Sequence, residues 1–185
     1  MDINDLKKTG IVIELDNQPY QVIESQHAKT AQRRAFIRTK LKNLISGLVK
    51  EKTFNTGDKI KEAILEKVKA NFLYTDQENI YLMEEKNFEQ ISLSRRQISP
   101  KDKFLKEGLL LTVLLFNNQP INIELPIKIE LKVVQAPPGI RGDSATNIMK
   151  KVVLENGLEI DAPLFIKEGD KVRINTETGK YVERV

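Results

Sequence analysis

Short segments that alternate apolar and polar residues recur along the whole chain, and turn-forming residues separate them. Residues 88–93 are an example, and the period of two predicts a β-strand with one buried face. Asp16-Asn17, Asn117-Asn118 and Asn156-Gly157 are turn sequences of the kind that join antiparallel strands. The pattern therefore predicts an almost all-β chain made of small barrels.

The spacing of the segments and the break at Pro126 divide the chain into three modules, residues 1–64, 65–127 and 128–185. The pattern of the first module predicts a small twisted barrel of four or five strands that needs no helix. In the second, three strands, a short helix that Ser94 would cap, and two further strands have the order of an OB-type Greek-key barrel. The third also has OB size. Because no Gly/Ser linker joins the modules, we expect an elongated, semi-rigid molecule.

Composition excludes several classes of protein. The 185-residue chain has no cysteine, which removes disulfides, thiolate metal sites and thiol nucleophiles. No apolar run is long enough to cross a membrane, and acidic residues occupy the start of the chain where a signal peptide would be basic. We expect a cytoplasmic protein that does not bind membranes.

Positive charge is concentrated in the first module, which has 12 Lys/Arg against 8 Asp/Glu. No acid occurs between Glu24 and Glu51, whereas seven cations do: Lys29, Arg33, Arg34, Arg38, Lys40, Lys42 and Lys50. Two strands joined by a short basic loop, which holds Lys29, Arg33 and Arg34, predict a hairpin that presents charge to a polyanion such as RNA. An ordinary soluble strand surface is the alternative.

Catalytic groups are scarce. His27 is the single histidine, and it fits an exposed strand end best. A backbone or phosphate contact fits it as well as proton transfer does. Neither a metal-ligand spacing nor a Gly-rich phosphate loop is present. We expect no enzyme activity, no cofactor and no bound metal. The loop from residue 137 to 147 is long for a strand connection, which indicates either a function or a mobile surface.

Motifs in all three modules, in order, resemble one family. They are Ile13-Glu14-Leu15-Asp16, Pro19-Tyr20-Gln21-Val22, Gln26-His27, the segments 36–44, 49–54 and 104–108, Arg141-Gly142-Asp143-Ser144, and 150–170 with Ala162-Pro163-Leu164-Phe165-Ile166. Along nearly its full length the chain resembles bacterial elongation factor P.

The resemblance implies a KOW-type, SH3-like barrel followed by two OB barrels in an L-shaped, monomeric molecule. It implies a translation factor that binds both ribosomal subunits, rRNA and peptidyl-tRNA between the peptidyl and exit sites. There it would stimulate peptide-bond formation at stalls such as consecutive prolines.

The resemblance also implies roles for individual residues. The hairpin tip toward the peptidyl-transferase centre would be Lys29, Thr30, Ala31, Gln32, Arg33 and Arg34. If even spacing puts them on one strand face, tRNA or rRNA phosphates would meet Arg38, Lys40 and Lys42. The loop that approaches the exit-site tRNA and codon would be Arg141, Gly142, Asp143 and Ser144.

The tip is where the sequence departs from the family. The common loop reads Lys-Pro-Gly-Lys-Gly with a modified second lysine, whereas Gln32 stands at that point here, in the run 29–33. Glutamine cannot accept β-lysylation or the rhamnosylation known on arginine. We expect a factor that works unmodified, with Arg33 as a shifted modification site the alternative. A divergent paralogue with another stalling-motif preference and a general RNA-binding OB protein are the other functions left open.

Overall fold

The computed structural model describes residues 1–28, 36–138 and 149–185. Within these ranges the strands form three five-stranded sheets, which confirms the predicted all-β fold. The chain divides into two compact units, residues 1–68 with 113–122, and residues 69–112 with 123–185.

The first sheet has the order β4-β3-β2-β1-β5. Asp16 and Asn17 form the turn between β1 and β2, and both have positive φ angles, 53° and 58°. Asp and Asn tolerate this conformation, which a type I′ hairpin turn requires at both central positions. The strands are β1 Val12–Leu15, β2 Gln18–Ala28, β3 Phe36–Asn43, β4 Val49–Asn55 and β5 Lys61–Glu62.

The core of this sheet receives one side of β3, where Ile37, Thr39 and Leu41 are buried. The prediction that the first module needs no helix was wrong, since Ile3–Lys7 forms a 3₁₀ helix. Ile3 and Leu6 are one 3₁₀ turn apart and both are buried, so the turn places two apolar side chains on one side.

The second sheet has the order β10-β9-β6-β7-β8, and its strand and helix sequence is the one predicted for an OB barrel. Its elements are β6 Glu66–Thr75, β7 Asn79–Glu84, β8 Gln90–Ser94, helix α1 Arg95–Ile98, a 3₁₀ helix Lys101–Phe104, β9 Leu110–Phe116 and β10 Gln119–Glu124. Buried side chains between its strands include Ile80, Leu82 and Leu93.

Two local predictions for this sheet were wrong. Ser94 is the N-cap residue of α1, but its side chain makes no capping hydrogen bond, so the predicted side-chain cap does not form. Phe88 was predicted to open the strand, but it has φ 59° in a turn and is 71% exposed. The strand begins at Gln90 instead.

The third sheet has the order β13-β12-β11-β14-β15. The Asn156-Gly157 turn is confirmed, with the Gly157 N–H donating to Leu154 O at 2.8 Å and φ +81° at the glycine. Leu131, Val152 and Ile174 are fully buried in its core. The strands are β11 Lys128–Gln135, β12 Met149–Leu154, β13 Glu159–Pro163, β14 Lys171–Asn175 and β15 Tyr181–Arg184.

Candidate nucleic-acid interface

Three cations alternate with buried residues along β3. Arg38 is exposed and Lys40 and Lys42 are half-buried, whereas Ile37 and Leu41 point to the core. The even spacing therefore puts Arg38, Lys40 and Lys42 on one outward face of the strand. We call these three residues the basic row.

A β-bulge at Ile23 decides what faces the basic row. Val22 pairs with Leu41, but the next pair is Glu24 with Lys40, so Ile23 is the extra residue of β2. In a regular ladder the odd step would turn Glu24 toward the core side. The bulge instead brings Glu24 to the outward face, opposite the basic row.

Lys40 lies between acidic residues on both neighbouring strands. Its Nζ lies 2.7 Å from Glu24 Oε2 on β2. On the other side it pairs in register with Glu51 of β4. Glu24 and Glu51, which bound the acid-free stretch in the sequence, therefore lie on either side of Lys40 in the sheet. Their negative charge offsets part of the charge of the basic row.

The pKa shifts of this cluster have a direct cause. The hydrogen bond from Lys40 lowers the pKa of the Glu24 carboxyl, and a second bond from Gln26 Nε2 at 2.8 Å lowers it further. The same contact with Glu24 raises the pKa of Lys40, and the negative charge of Glu51 adds to that effect. Both groups are therefore charged across the neutral range.

Arg38 and Lys42 have different neighbours. Arg38 pairs with Gln26 and Thr53, and Lys42 pairs with Gln21 and Val49. In the described part of the chain no ion pair involves either cation. These two side chains therefore keep their full charge for an anionic partner, while Lys40 is shared.

Lys50 also lies in the acid-free stretch, but it has intramolecular partners. Its Nζ lies 4.0 Å from the centre of the Tyr20 ring and 3.7 Å from Asp16 Oδ2. Tyr20 is buried, and its hydrogen bonds with Asn43 and Lys50 lower the pKa of its hydroxyl. The Lys50 ammonium group thus packs over the ring of Tyr20 as a cation–π contact.

Several predicted site residues fall outside the described residues. These are the tip Lys29, Thr30, Ala31, Gln32, Arg33 and Arg34, and the loop Arg141, Gly142, Asp143 and Ser144. The last described hairpin pair is Ala28 with Phe36, so the tip sequence connects β2 to the strand of the basic row. His27 is exposed and pairs with Ile37.

Two other kinds of feature are absent from the described ranges. They contain no group of three or more His, Asp or Glu side chains arranged to hold a metal ion. No helix in those ranges is long and apolar enough to cross a membrane.

Family models cover almost the whole chain. The elongation factor P KOW-like domain matches residues 2–60, the elongation factor P OB domain matches 65–123, and the elongation factor P C-terminal domain matches 129–184. These matches define a translation factor. The chain belongs to the elongation factor P family.

Individual relatives agree along their full length. Elongation factor P of Moorella thermoacetica is 47% identical over 181 residues, 98% of this chain and 97% of the relative. The Phytoplasma australiense protein of the same name is 45% identical over 185 residues, 100% of this chain and 97% of the relative. That of Mesomycoplasma hyopneumoniae is 42% identical over 184 residues, 100% and 99% respectively.

A solved structure shares the fold. Eukaryotic translation initiation factor 5A from Methanococcus jannaschii superimposes with a TM-score of 0.54 over 68% of this chain and 93% of that protein, at 18% sequence identity. At that identity the similarity concerns the fold.

Proposed function

We propose that this elongation factor binds the ribosome between the peptidyl and exit sites and stabilises the acceptor end of peptidyl-tRNA. It thereby stimulates peptide-bond formation at stalls such as consecutive prolines. The basic row carries the proposal, because it lines the outward face of the strand that follows the tip sequence. Cations in such a row suit the phosphates of tRNA and rRNA, which position a bound protein.

The factor acts by positioning, and the ribosome forms the bond. Holding two reactants in a reactive geometry can lower a barrier by about 7–11 kcal/mol through entropy and avoided solvent reorganisation. This role requires no catalytic group, cofactor or metal of the factor's own. We propose that it acts as a monomer in the cytoplasm, contacting both ribosomal subunits.

We assign the tip, residues 29–34, to the peptidyl-transferase centre. Gln32 supplies amide contacts there without modification, and Arg33 supplies charge. The loop Arg141, Gly142, Asp143 and Ser144 approaches the exit-site tRNA and codon. In the sequence this loop lies between β11 and β12, which pair antiparallel at Val133 and Leu154.

We also propose domain limits at residues 64/65 and 127/128. The ranges of the three family matches support these limits, because each range lies entirely within one proposed domain.

A translation assay on a message with consecutive proline codons tests the proposal. The double variant Arg38→Gln/Lys42→Gln should relieve the stall poorly, and its loss relative to wild type should be greatest at low salt and shrink as salt rises. The control Lys128→Gln/Lys132→Gln removes the same charge from exposed positions of β11 and should behave as wild type. Equal activity of the two double variants would show that the basic row does not bind the ribosome.

Gln32 favours one alternative, a divergent paralogue that prefers another stalling motif. A panel of stalling messages in the same assay separates the two functions. Relief of a different stall, with no effect on consecutive prolines, would establish the paralogue.

A further inference from the structure

Two tyrosines stack on the outward side of the second sheet. The Tyr74 and Tyr81 ring centroids are 4.6 Å apart and the ring planes differ by 24°. Tyr74 is 53% exposed. An aromatic side chain this open contributes little to a core, so a free ring face is available to a ligand.

A second β-bulge creates the pair. Phe72 pairs with Leu82 on the core side, and the next pair is Tyr74 with Tyr81, so Leu73 is the extra residue. In a regular ladder Tyr74 would face the core with Ile80. The bulge turns it outward onto Tyr81, which is the re-aiming that bulges produce near binding sites.

Hydrogen bonds fix the inner ring of the pair. The Tyr81 hydroxyl donates to Asp76 Oδ2 at 2.8 Å, and Asp76 Oδ1 accepts the N–H groups of Glu78 and Asn79 at 2.8 and 2.7 Å. Bonds from Asn79, Tyr81 and Glu78 lower the pKa of the Asp76 carboxyl, so the acceptor stays charged. The ring is therefore held in place before any ligand arrives, which reduces the entropy cost of binding.

The strand next to the pair carries polar side chains. Ser92 of β8 lies beside Tyr81 in register, and Gln90 lies beside Met83. A cleft beside Asp76 is lined by Arg95 and Lys106. Asp102 pairs with Arg95 at 3.2 Å, and Glu155 lies 3.6 Å from Lys106. These cations are largely offset, so a ligand would be held by ring contact more than by charge.

We propose that Tyr74 and Tyr81 form a stacking platform for an unpaired nucleobase of single-stranded RNA. The pair lies on the first and second strands of an OB barrel, beside the loop that joins them, and OB barrels bind oligonucleotides on this region. Flat bases stack on aromatic rings with little dependence on sequence. The site is separate from the basic row and does not depend on the proposed ribosomal position.

The test is binding of a fluorescein-labelled single-stranded RNA of roughly ten nucleotides, the scale of an OB site, measured by anisotropy on the full chain. Tyr74→Ala should weaken binding about 5- to 150-fold, the range for loss of one stacked base. Tyr74→Phe keeps the ring and should bind as wild type. Phe88→Ala removes another exposed aromatic of the same sheet region and should have no effect.

Salt separates this site from the basic row. The loss caused by Tyr74→Ala should be the same at low and high salt, whereas the loss caused by Arg38→Gln/Lys42→Gln should shrink as salt rises. A 4-thiouridine in the RNA should cross-link to the peptide that contains Tyr74. No RNA binding by the wild type, equal binding by Tyr74→Ala and Phe88→Ala, or a cross-link confined to other peptides would overturn the proposal. If Tyr74→Ala lost a contact with a ribosomal protein but still bound RNA, the tyrosine pair would be a protein-binding site. That result would overturn the proposal as well.

Discussion

Lys40 Nζ lies 2.7 Å from Glu24 Oε2 across the β2–β3 pair, in the middle of a stretch of sequence that contains no acid. The contact exists because the bulge at Ile23 turns Glu24 to the outward face. Of the basic row, Arg38 and Lys42 are therefore the residues whose charge is most available to RNA. Glu24 limits the contribution of Lys40.

Removing that limit should strengthen RNA binding. We predict that Glu24→Gln raises the affinity for ribosomes or RNA a few-fold at low salt, because Lys40 is released and one repulsive carboxylate is lost. Salt titration of the binding constant should show a steeper slope than for wild type. Glu159→Gln removes the same charge from an exposed position of β13 and serves as the control. An unchanged or weaker affinity for Glu24→Gln would contradict the role given to Glu24.

The Asp76 carboxylate should stabilise the folded protein at neutral pH, and this stabilisation should be lost at low pH. Its pKa is lowered in the folded protein, so its contribution is present above the unfolded pKa and is lost as pH falls through the folded pKa. We predict that the difference in Tm between wild type and Asp76→Asn, measured at neutral pH, disappears in acid below the usual carboxyl range. A difference that stayed constant down to that range would show that Asp76 does not act through its charge.

Buried and exposed leucines of the first module offer a matched comparison. Leu41 on β3 is 0% exposed and Leu48 in the turn after it is 72% exposed. Leu41→Ala should lower the free energy of unfolding by about 2–5 kcal/mol, because it leaves a cavity. Leu48→Ala should change it by no more than about 0.5 kcal/mol. Urea unfolding gives both values, and similar losses for the two variants would mean that the core has been misassigned.

Asn43 should stabilise the β3–β4 turn. It is buried, its Oδ1 accepts the N–H groups of Ile45 and Ser46 at 2.8 and 2.9 Å, and its Nδ2 donates to Gln18 Oε1 at 2.6 Å. Asn43→Ala leaves these groups without a partner, at about 1–3 kcal/mol for each that stays buried. Gln18→Ala removes the bond from Asn43 Nδ2 and a long bond of 3.5 Å from the Tyr20 hydroxyl. It leaves both turn bonds of Asn43 Oδ1 in place and should cost less by the same urea measurement. The reverse order would rule out the turn as the main source of the effect.

Periodicity in the sequence predicted most of the fold. Alternating segments and Asn, Asp and Gly turns located the strands, since a strand with one buried face imposes a period of two. Ile3–Lys7 was missed because two apolar residues three positions apart do not make a recognisable period. Phe88 was placed in a strand because its apolar character fitted the alternation, although it lies in a turn.

The candidate sites were predicted less completely, for one physical reason. A bulge shifts the face of every residue on one side of it, and neither Ile23 nor Leu73 differs in type from a regular strand residue. The ion pair of Lys40 and the stacking of Tyr74 on Tyr81 both depend on such a shift. The even spacing of Arg38, Lys40 and Lys42 did predict their common face, because no bulge interrupts that part of β3.

The tip should carry no adduct. Gln32 offers no amine or guanidinium for the modifications found on other members of the family. The intact mass of protein from its native host should therefore show no adduct that maps to the peptide containing residues 29–35. Recombinant protein is the mass control. An adduct on Arg33 would establish that residue as a shifted modification site.

The most direct test of the proposed function is translation of a message with consecutive proline codons by purified components, with and without unmodified recombinant protein. The protein should shorten the pause at the proline codons and should leave translation of a message without them unchanged. An identical pause with and without the protein would contradict it.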